Sequence, residues 1–157
     1  MIRIFALTIG LFLTGCCSMK TSIKIDAPAR RVWTVISALD SYKKWNPFFV
    51  EASGELKEGK ALDLQMQPVG GKKREFAPKL LAVADGREII WRGRFILPGL
   101  FDGTHHLALE PLNDNQTLFT QAEEFSGILV PFVDFMPFRK GWQKMDEALK
   151  AECENKK

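Results

Sequence analysis

The sequence is poor in the residues that usually carry metal and redox chemistry. Its 157 residues include two histidines, three cysteines and a single tyrosine. The cysteines contain no CxxC pair, and no cluster of His or Cys has the spacing of metal ligands. No recognisable nucleophile motif is present either. We therefore expect the protein to hold no metal and no cofactor.

The sequence has little excess of charge of either sign, because 22 Lys and Arg are balanced by 19 Asp and Glu and leave a net charge of +3. So small a surplus does not indicate a nucleic-acid partner. Hydrophobic residues make up 46% and charged residues 26%, which is typical of one globular domain and excludes a disordered tail, a collagen-like repeat or a disulfide-dense miniprotein. The aromatic residues are mainly 12 Phe and four Trp, which suits a large apolar interior.

The first residues carry an apolar run, Ile4 to Leu13, preceded by one cation, Arg3. This run is shorter than the about 20 apolar residues of a membrane-spanning helix and is typical of a signal-peptide core. It ends in Leu13-Thr14-Gly15-Cys16, which resembles the bacterial lipobox, a motif that is cleaved before the cysteine, whose thiol is then acylated. An ordinary secretory signal and an uncleaved N-terminal anchor are the alternatives.

The lipobox predicts a division of the chain into a signal peptide (1–15), a tether (16–21) and a folded domain (22–154). Cys16 is then the lipidation site, and the protein is extracytoplasmic and lipid-anchored to a bacterial membrane. Cys17, rather than Asp, follows the lipobox cysteine, which favours the outer membrane in a host that has one. A disulfide between Cys17 and Cys153 is an open alternative in an oxidising compartment.

Hydrophobic periodicity predicts an α+β chain. Residues 22–26 alternate as a first strand, and helical spacing then predicts two short helices, the first opening at Asp26-Ala27-Pro28 and the second ending at Asn46-Pro47. The period then changes from 3.6 to 2, and six strands are expected over 48–56, 62–66, 74–84, 88–96, 104–112 and 117–125.

The last segment returns to helical spacing. Its apolar residues recur at intervals of three and four: Phe138, Trp142, Met145, Leu149 and Cys153. Pro131 can start this helix, whereas Pro137 is expected to kink it or to delay its regular part. A curved antiparallel sheet packed against this amphipathic helix would bury both apolar surfaces.

The last hairpin can be phased from its apolar residues, which occupy odd positions: Leu107, Leu109, Phe119 and Phe125. A three-residue loop, 113–115, brings these positions onto one face, because directly opposed residues of antiparallel strands share a face. A two-residue turn, 114–115, would instead place Leu109 beside Thr120. The apolar match favours the longer loop, which pairs Leu112 with Gln116, Leu109 with Phe119, Leu107 with Gln121 and His105 with Glu123.

Six sequence words occur in a characteristic order: Ala27-Pro28-Ala29-Arg30-Arg31-Val32-Trp33, Trp45-Asn46-Pro47-Phe48, Gly99-Leu100-Phe101-Asp102-Gly103, Leu109-Glu110-Pro111-Leu112, Phe125-Ser126-Gly127 and Ala148-Leu149-Lys150. In this order the chain resembles the SRPBCC superfamily (START-like, helix-grip), in its polyketide cyclase/dehydrase-like branch, over about residues 22–153. The resemblance implies a curved seven-stranded antiparallel sheet wrapped around a long C-terminal helix over a hydrophobic cavity, with two short helices between strands one and two. Members bind lipids, sterols, polyketides or other apolar molecules, and some are cyclases or aromatases.

The register directs three polar side chains, His105, Gln121 and Glu123, to the concave side of the sheet. A His–carboxylate pair there is a solvated or structural pair, a group that orients a ligand, or an acid/base couple. Because His106 points the other way, the two histidines do not form a metal site. The expected ligand-facing wall adds five apolar residues: Trp91, Phe95, Leu107, Phe119 and Trp142. For Trp142 a place in the core, together with Trp33 and Phe138, is the alternative.

These observations favour a monomeric, membrane-tethered, non-enzymatic binding protein for a small hydrophobic ligand such as a lipid, polyketide or aromatic molecule. The alternatives are a cyclase/aromatase- or hydrolase-like enzyme that uses His105 and Glu123, and a structural envelope lipoprotein whose cavity is filled by side chains. The basic run 72–74 is expected at a solvated hairpin tip, where an acylated N-terminus could bring it to anionic head groups.

Overall fold

The computed structural model describes residues 15–94 and 97–155. The strands are β1 (Gly15–Ile25), β2 (Phe49–Gly54), β3 (Leu62–Met66), β4 (Arg74–Phe76), β5 (Lys79–Ala84), β6 (Glu88–Arg94), β7 (Asp102–Asn113) and β8 (Gln116–Gly127). The helices are α1 (Ala29–Ser37), α2 (Tyr42–Trp45) and α3 (Met136–Glu154), with 3₁₀ turns at Leu39–Ser41 and Val130–Phe132. The α+β order and the two short helices after the first strand are as the sequence predicts.

The strands form two antiparallel sheets rather than the single seven-stranded sheet that was expected. One has the order β1-β8-β7-β6-β5 and the other β2-β3-β4. The expected strand 74–84 is divided into β4 and β5 around Pro78, because proline has no N–H to donate to a ladder. A bridge between Ala61 and Lys79 joins the two sheets at this break. The described sheets therefore contain eight strands.

The first strand is longer than the sequence indicated. β1 begins at Gly15 and pairs with β8 over its whole length, from Gly15 opposite Gly127 to Ile25 opposite Thr117. Residues 16–21 are therefore strand and not a tether. Buried and exposed side chains alternate along these residues as in a strand, since Cys17 and Met19 pack towards the core and Cys16 is exposed. The expected signal peptide lies, except for Gly15, outside the described residues.

The hairpin of β7 and β8 has the predicted register over its body: Leu109 pairs with Phe119, Leu107 with Gln121 and His105 with Glu123. Its turn differs from the prediction. The strands end in a two-residue turn, with Asn113 opposite Gln116, and a bulge at Leu112 shifts the register by one residue. The two-residue turn and the pairing of Leu109 with Phe119 therefore occur together, because the bulge adds one unpaired residue between them.

The apolar face of α3 packs against the rest of the domain, as its helical spacing predicts. Trp142, Met145, Leu149 and Cys153 are buried, and α3 packs against β1 and α1. Pro137 occupies the first turn of α3, where a backbone N–H has no intrahelical partner to lose. α3 therefore begins at Met136, and Pro137 delays its regular part without kinking it. Pro131 does not start α3 as expected, because it lies in the preceding 3₁₀ turn. No helix of the described ranges is both long enough and apolar enough to cross a bilayer.

Gly141 sets how closely α3 approaches the sheet edge. A Cβ at this position would overlap the ring of Phe48, which is buried. We expect Gly141→Ala to lower the free energy of unfolding by about 1–3 kcal/mol through overpacking, although alanine is the better helix former by about 1 kcal/mol. Urea unfolding measures this, with exposed Gln143→Ala as the control on the same helix. A more stable Gly141→Ala variant would contradict the close contact.

Candidate functional site

A cavity of about 440 Å³ lies between the sheets and the beginning of α3. Charged residues line its exposed side, and its apolar wall includes seven aromatic residues: Phe48, Phe49, Phe76, Trp91, Phe101, Phe125 and Phe138. Phe49 contacts Trp91 edge-on, with ring centroids 5.8 Å apart, and contacts Phe48 at 4.8 Å in the same manner. Edge-to-face packing of this kind holds the rings in fixed orientations, so the cavity has a defined apolar shape.

His105 and Glu123 supply polar groups to this wall. They project from adjacent positions of β7 and β8, and Nδ1 of His105 lies 3.2 Å from Oε2 of Glu123, within hydrogen-bonding distance. His105 is only 1% exposed, and its Nε2 has no hydrogen-bond partner among the described residues. Of the solvated or structural pair expected from the sequence, the solvated form is wrong for this histidine, and the structural form agrees with its burial.

Aromatic rings fix the imidazole of His105 on three sides. It stacks on Trp91 with centroids 4.5 Å apart and planes 7° from parallel. Trp142 meets it edge-on at 4.7 Å, and Phe49 does so at 5.9 Å. The orientation of the ring, and hence of the Nδ1 that faces Glu123, is set by packing as well as by the hydrogen bond.

The carboxylate of Glu123 is the more accessible member of the pair. Its side chain is 19% exposed, and it lines the cavity. Gly103, on the neighbouring strand, leaves room for it, because a Cβ there would overlap Oε1 of Glu123. Glu123 can therefore accept a hydrogen bond from a molecule in the cavity while His105 holds its other oxygen.

A second polar pair is buried behind the cavity. Nε2 of Gln121 donates to Oδ1 of Asp146 at 2.5 Å, and it lies 3.4 Å from the carbonyl oxygen of Trp142. Burial raises the pKa of Asp146 above its ordinary value, while the hydrogen bond from Gln121 and the charge of His105 partly oppose the rise. Asp146 was missed in the sequence, although it stands four residues after Trp142 within the apolar stripe of α3.

The raised pKa of Asp146 predicts a pH dependence of stability. The folded state binds this proton more tightly than the unfolded state, so the free energy of unfolding falls as pH rises from about 4, the ordinary aspartate pKa, through the raised value. Asp146→Asn keeps an oxygen for Gln121 and removes that fall, so it is more stable than the parent protein at neutral pH. Urea unfolding across this range measures the effect, with exposed Glu147→Gln as the control. Identical pH profiles for parent and Asp146→Asn would contradict it.

The family follows from the whole described domain. A family model described as polyketide cyclase/dehydrase and lipid transport matches residues 17–154. The chain belongs to this family. The sequence-based resemblance is thereby confirmed. No curated protein matches the chain.

Solved structures share the fold of this polyketide cyclase/dehydrase family member. An aromatase/cyclase from Streptomyces sp. R1128 has a TM-score of 0.71 at 15% identity and covers 89% of this chain and 94% of its own. Norcoclaurine synthase from Thalictrum flavum, solved with dopamine and hydroxybenzaldehyde, has a TM-score of 0.67 at 17% identity. The match covers 100% of this chain and 98% of the synthase. A START superfamily protein from Mycobacterium smegmatis has a TM-score of 0.66 at 18% identity. The match covers 87% of this chain and 97% of that protein. At such identities the likeness shows the helix-grip fold.

The structure divides the residues that the sequence assigned to the ligand site. Trp91, His105 and Glu123 line the cavity of this polyketide cyclase/dehydrase family member. Four others are fully buried in the core beneath α3 and do not line it: Leu107, Phe119, Gln121 and Trp142. α3 packs directly on that part of the sheet, so its side chains fill the space there. Phe95 lies outside the described residues.

Several cavity residues were not recognised in the sequence. Phe49 begins β2 and Phe48 directly precedes it. Phe101 lies in the loop before β7, and Phe138 in the first turns of α3. For Phe48 the signal in the sequence was the motif Trp45-Asn46-Pro47-Phe48. Asn46 turns the chain there, since its Oδ1 accepts hydrogen bonds from the backbone N–H groups of Phe48 and Phe49, both at 2.9 Å.

The three cysteines are free thiols, so the alternative of a Cys17–Cys153 disulfide is wrong for this structure. Cys16 is exposed at the start of β1, whereas Cys153 is buried on α3. Burial raises the pKa of Cys153 to about 12, which keeps its thiol protonated and unreactive at neutral pH. Within the described ranges, no three His, Cys, Asp or Glu residues are grouped so as to hold a metal ion.

Proposed function

We propose that this protein binds a small, mainly apolar ligand in the cavity and carries it, as a monomer, at a bacterial membrane. The observation that supports this most strongly is a cavity of about 440 Å³ that is lined largely by aromatic rings and has the half-buried carboxylate of Glu123 in its wall. Small-molecule sites commonly have volumes of about 300–1,000 Å³ and combine an apolar lining with a few polar groups. An open cavity argues against the structural lipoprotein whose cavity is filled by side chains.

The lining favours a ring-containing ligand that carries a hydroxyl or amine. The rings of Phe49 and Trp91 offer faces and edges for an aromatic guest. Glu123 offers an acceptor for one donor group, and this acceptor is desolvated on the side that His105 covers. The solved relatives include an aromatase/cyclase and a synthase with two aromatic ligands, which supports the same ligand class.

The enzymatic alternative depends on the same two residues. A carboxylate in hydrogen-bonding distance of an oriented imidazole can accept and return a proton at a substrate in contact with Glu123. A cyclase or aromatase needs such proton transfers. Turnover of a bound ring precursor by the parent protein, lost in Glu123→Gln, would favour this alternative over a carrier.

The lipid anchor is proposed from the sequence at the start of the chain. The apolar run 4–13 and the lipobox-like Leu13-Thr14-Gly15-Cys16 support lipidation of Cys16 and an extracytoplasmic location, with the outer membrane favoured in a host that has one. The exposed position of Cys16 is compatible with acylation. Mass spectrometry of protein from its native membrane tests the proposal, and an intact residue 1 with an unmodified thiol would exclude it.

Binding can be tested first without knowing the natural ligand. We expect the full chain to bind 1-aminoanthracene with an increase in its fluorescence, and native mass spectrometry of protein from its own host to show a bound small molecule. Glu123→Gln should weaken 1-aminoanthracene binding about tenfold or more and leave anthracene, which has no donor, unchanged.

Glu124→Gln is the matched control for this test, because the neighbouring Glu124 is exposed on the other face of β8. It should change neither affinity. Equal weakening of both probes by Glu123→Gln would exclude the acceptor role, and no binding of either probe by the parent protein would exclude the carrier proposal.

A further inference from the structure

Three loops come together at one end of the domain, around the opening of the cavity. The backbone N–H of Val69 lies 3.4 Å from the carbonyl oxygen of Pro137 and links the first loop to α3. The carbonyls of Gly99 and Leu100 accept hydrogen bonds from Ile128 and Leu129, at 3.1 and 3.0 Å, and link the second loop to the third. We call residues 67–73, 97–101 and 128–136 together the mouth face.

The mouth face carries most of the large apolar side chains that the described part of the chain exposes. Six such side chains are exposed, and four of them lie here: Leu97, Leu129, Phe132 and Met136. Phe132 is 83% exposed, so nearly its whole ring is in contact with solvent. An apolar group of this size left in water at the opening of a cavity indicates a surface that is covered by something else.

Basic residues border the same opening. Lys72, Arg74 and Arg94 line the cavity at its exposed side, and Lys73 stands between the first two. The exposed acids Glu75 and Asp134 line it as well, so four cations and two acids leave a net charge of +2 there. Within residues 15–94 and 97–155 none of these four cations is in a salt bridge. Exposed apolar side chains next to unpaired cations are the combination that an anionic lipid surface binds.

The N-terminal segment enters the domain at this face. Gly15 packs against the 3₁₀ turn of the third loop, since a Cβ on it would lie 2.7 Å from Cδ of Pro131. The apolar run 4–13 precedes Gly15 by a single residue in the sequence. A membrane attachment made by that run, or by a lipid on Cys16, leaves too little chain to carry the domain away from the bilayer.

We propose that the mouth face docks on a lipid bilayer with anionic head groups, with Phe132 and its apolar neighbours inserted and the basic residues at the head-group level. The cavity then opens against the membrane instead of against water. This inference is independent of the ligand: it concerns the surface around the cavity, and it stands or fails separately from the binding of 1-aminoanthracene.

The test places an environment-sensitive nitrobenzoxadiazole probe on the mouth face of the full chain. Cys16→Ser and Cys17→Ser remove the accessible thiols, and Cys153 is buried. A probe on Phe132→Cys should shift to shorter wavelength and be quenched by spin-labelled lipids in vesicles of phosphatidylcholine and phosphatidylglycerol, but much less with phosphatidylcholine alone.

A probe on Leu112→Cys is the matched control, because Leu112 is also an exposed large apolar residue. It lies roughly 30 Å from the mouth face, at the other end of β7. It should stay in water, even though the N-terminal segment is the same in both proteins. Lys72→Glu with Arg74→Glu should lower the docked-to-free ratio about tenfold or more, whereas Lys57→Glu, in the loop between β2 and β3, should not.

Equal behaviour of the two probes, or a Phe132→Cys probe that remains in water with anionic vesicles, would overturn the proposal. A shift of that probe without vesicles that grows with protein concentration would also overturn it, because the face would then be an interface between two copies of the chain.

Discussion

Gly93→Phe is expected to reduce the affinity for 1-aminoanthracene at least a hundredfold without unfolding the domain. Gly93 lies on β6 two residues after Trp91, on the same face of the strand, and lines the cavity. A Cβ there would meet the ring of Phe76 at 3.6 Å, which is ordinary van der Waals contact. The new ring therefore enters the cavity and occupies the place of the guest.

Arg92→Phe provides the control for Gly93→Phe. It adds the same ring one residue earlier on β6, on the exposed face, and should leave the affinity unchanged. Urea unfolding should show Gly93→Phe to be at least as stable as the parent protein, because a glycine within a strand is unfavourable. A stable Gly93→Phe protein that binds the probe with full affinity would place the ligand outside this cavity.

Trp142→Ala is expected to lower the free energy of unfolding by about 3–5 kcal/mol, the usual cost of removing a large buried aromatic side chain. Trp142 is fully buried on α3 and contacts His105 edge-on. Its loss removes packing between the helix and the sheet and also frees one side of the imidazole. Ligand binding should therefore weaken even at temperatures where the variant remains folded.

Trp45→Ala is the matched deletion for this prediction. Trp45 ends α2, is only partly buried, and donates a hydrogen bond to Oγ of Ser41 at 3.3 Å. Its replacement should cost well under half as much in chemical unfolding. Similar costs for the two variants would mean that the contact of Trp142 with the sheet contributes little.

The sequence predicted most of the fold because polar and apolar residues alternate clearly in the long strands. Pairing Leu109 with Phe119 was enough to place His105 beside Glu123, since the side-chain period of a strand fixes every other pair. The turn was harder to predict, because a bulge such as that at Leu112 changes the loop length while it preserves the pairing. Likewise, Pro78 divides a segment whose alternation is otherwise continuous.

The site was less accessible to prediction because core and cavity are built from the same residue types. Phe119 and Phe49 are both fully buried phenylalanines, yet only Phe49 borders empty space. The difference depends on where α3 lies against the sheet, which no local pattern encodes. The His–Glu pair was found because its residues are polar among apolar neighbours on a strand. Asp146 is likewise a polar residue within the apolar stripe of a helix, but it was not recognised.

The full pairing of β1 with β8 also has a mechanical consequence. Tension applied at Gly15 along the axis of β1 loads all eleven residue pairs in parallel, from Gly15 opposite Gly127 to Ile25 opposite Thr117. A strand loaded in shear resists rupture far better than one peeled open pair by pair. A domain held at Gly15 would therefore keep its sheet paired under a pull along β1.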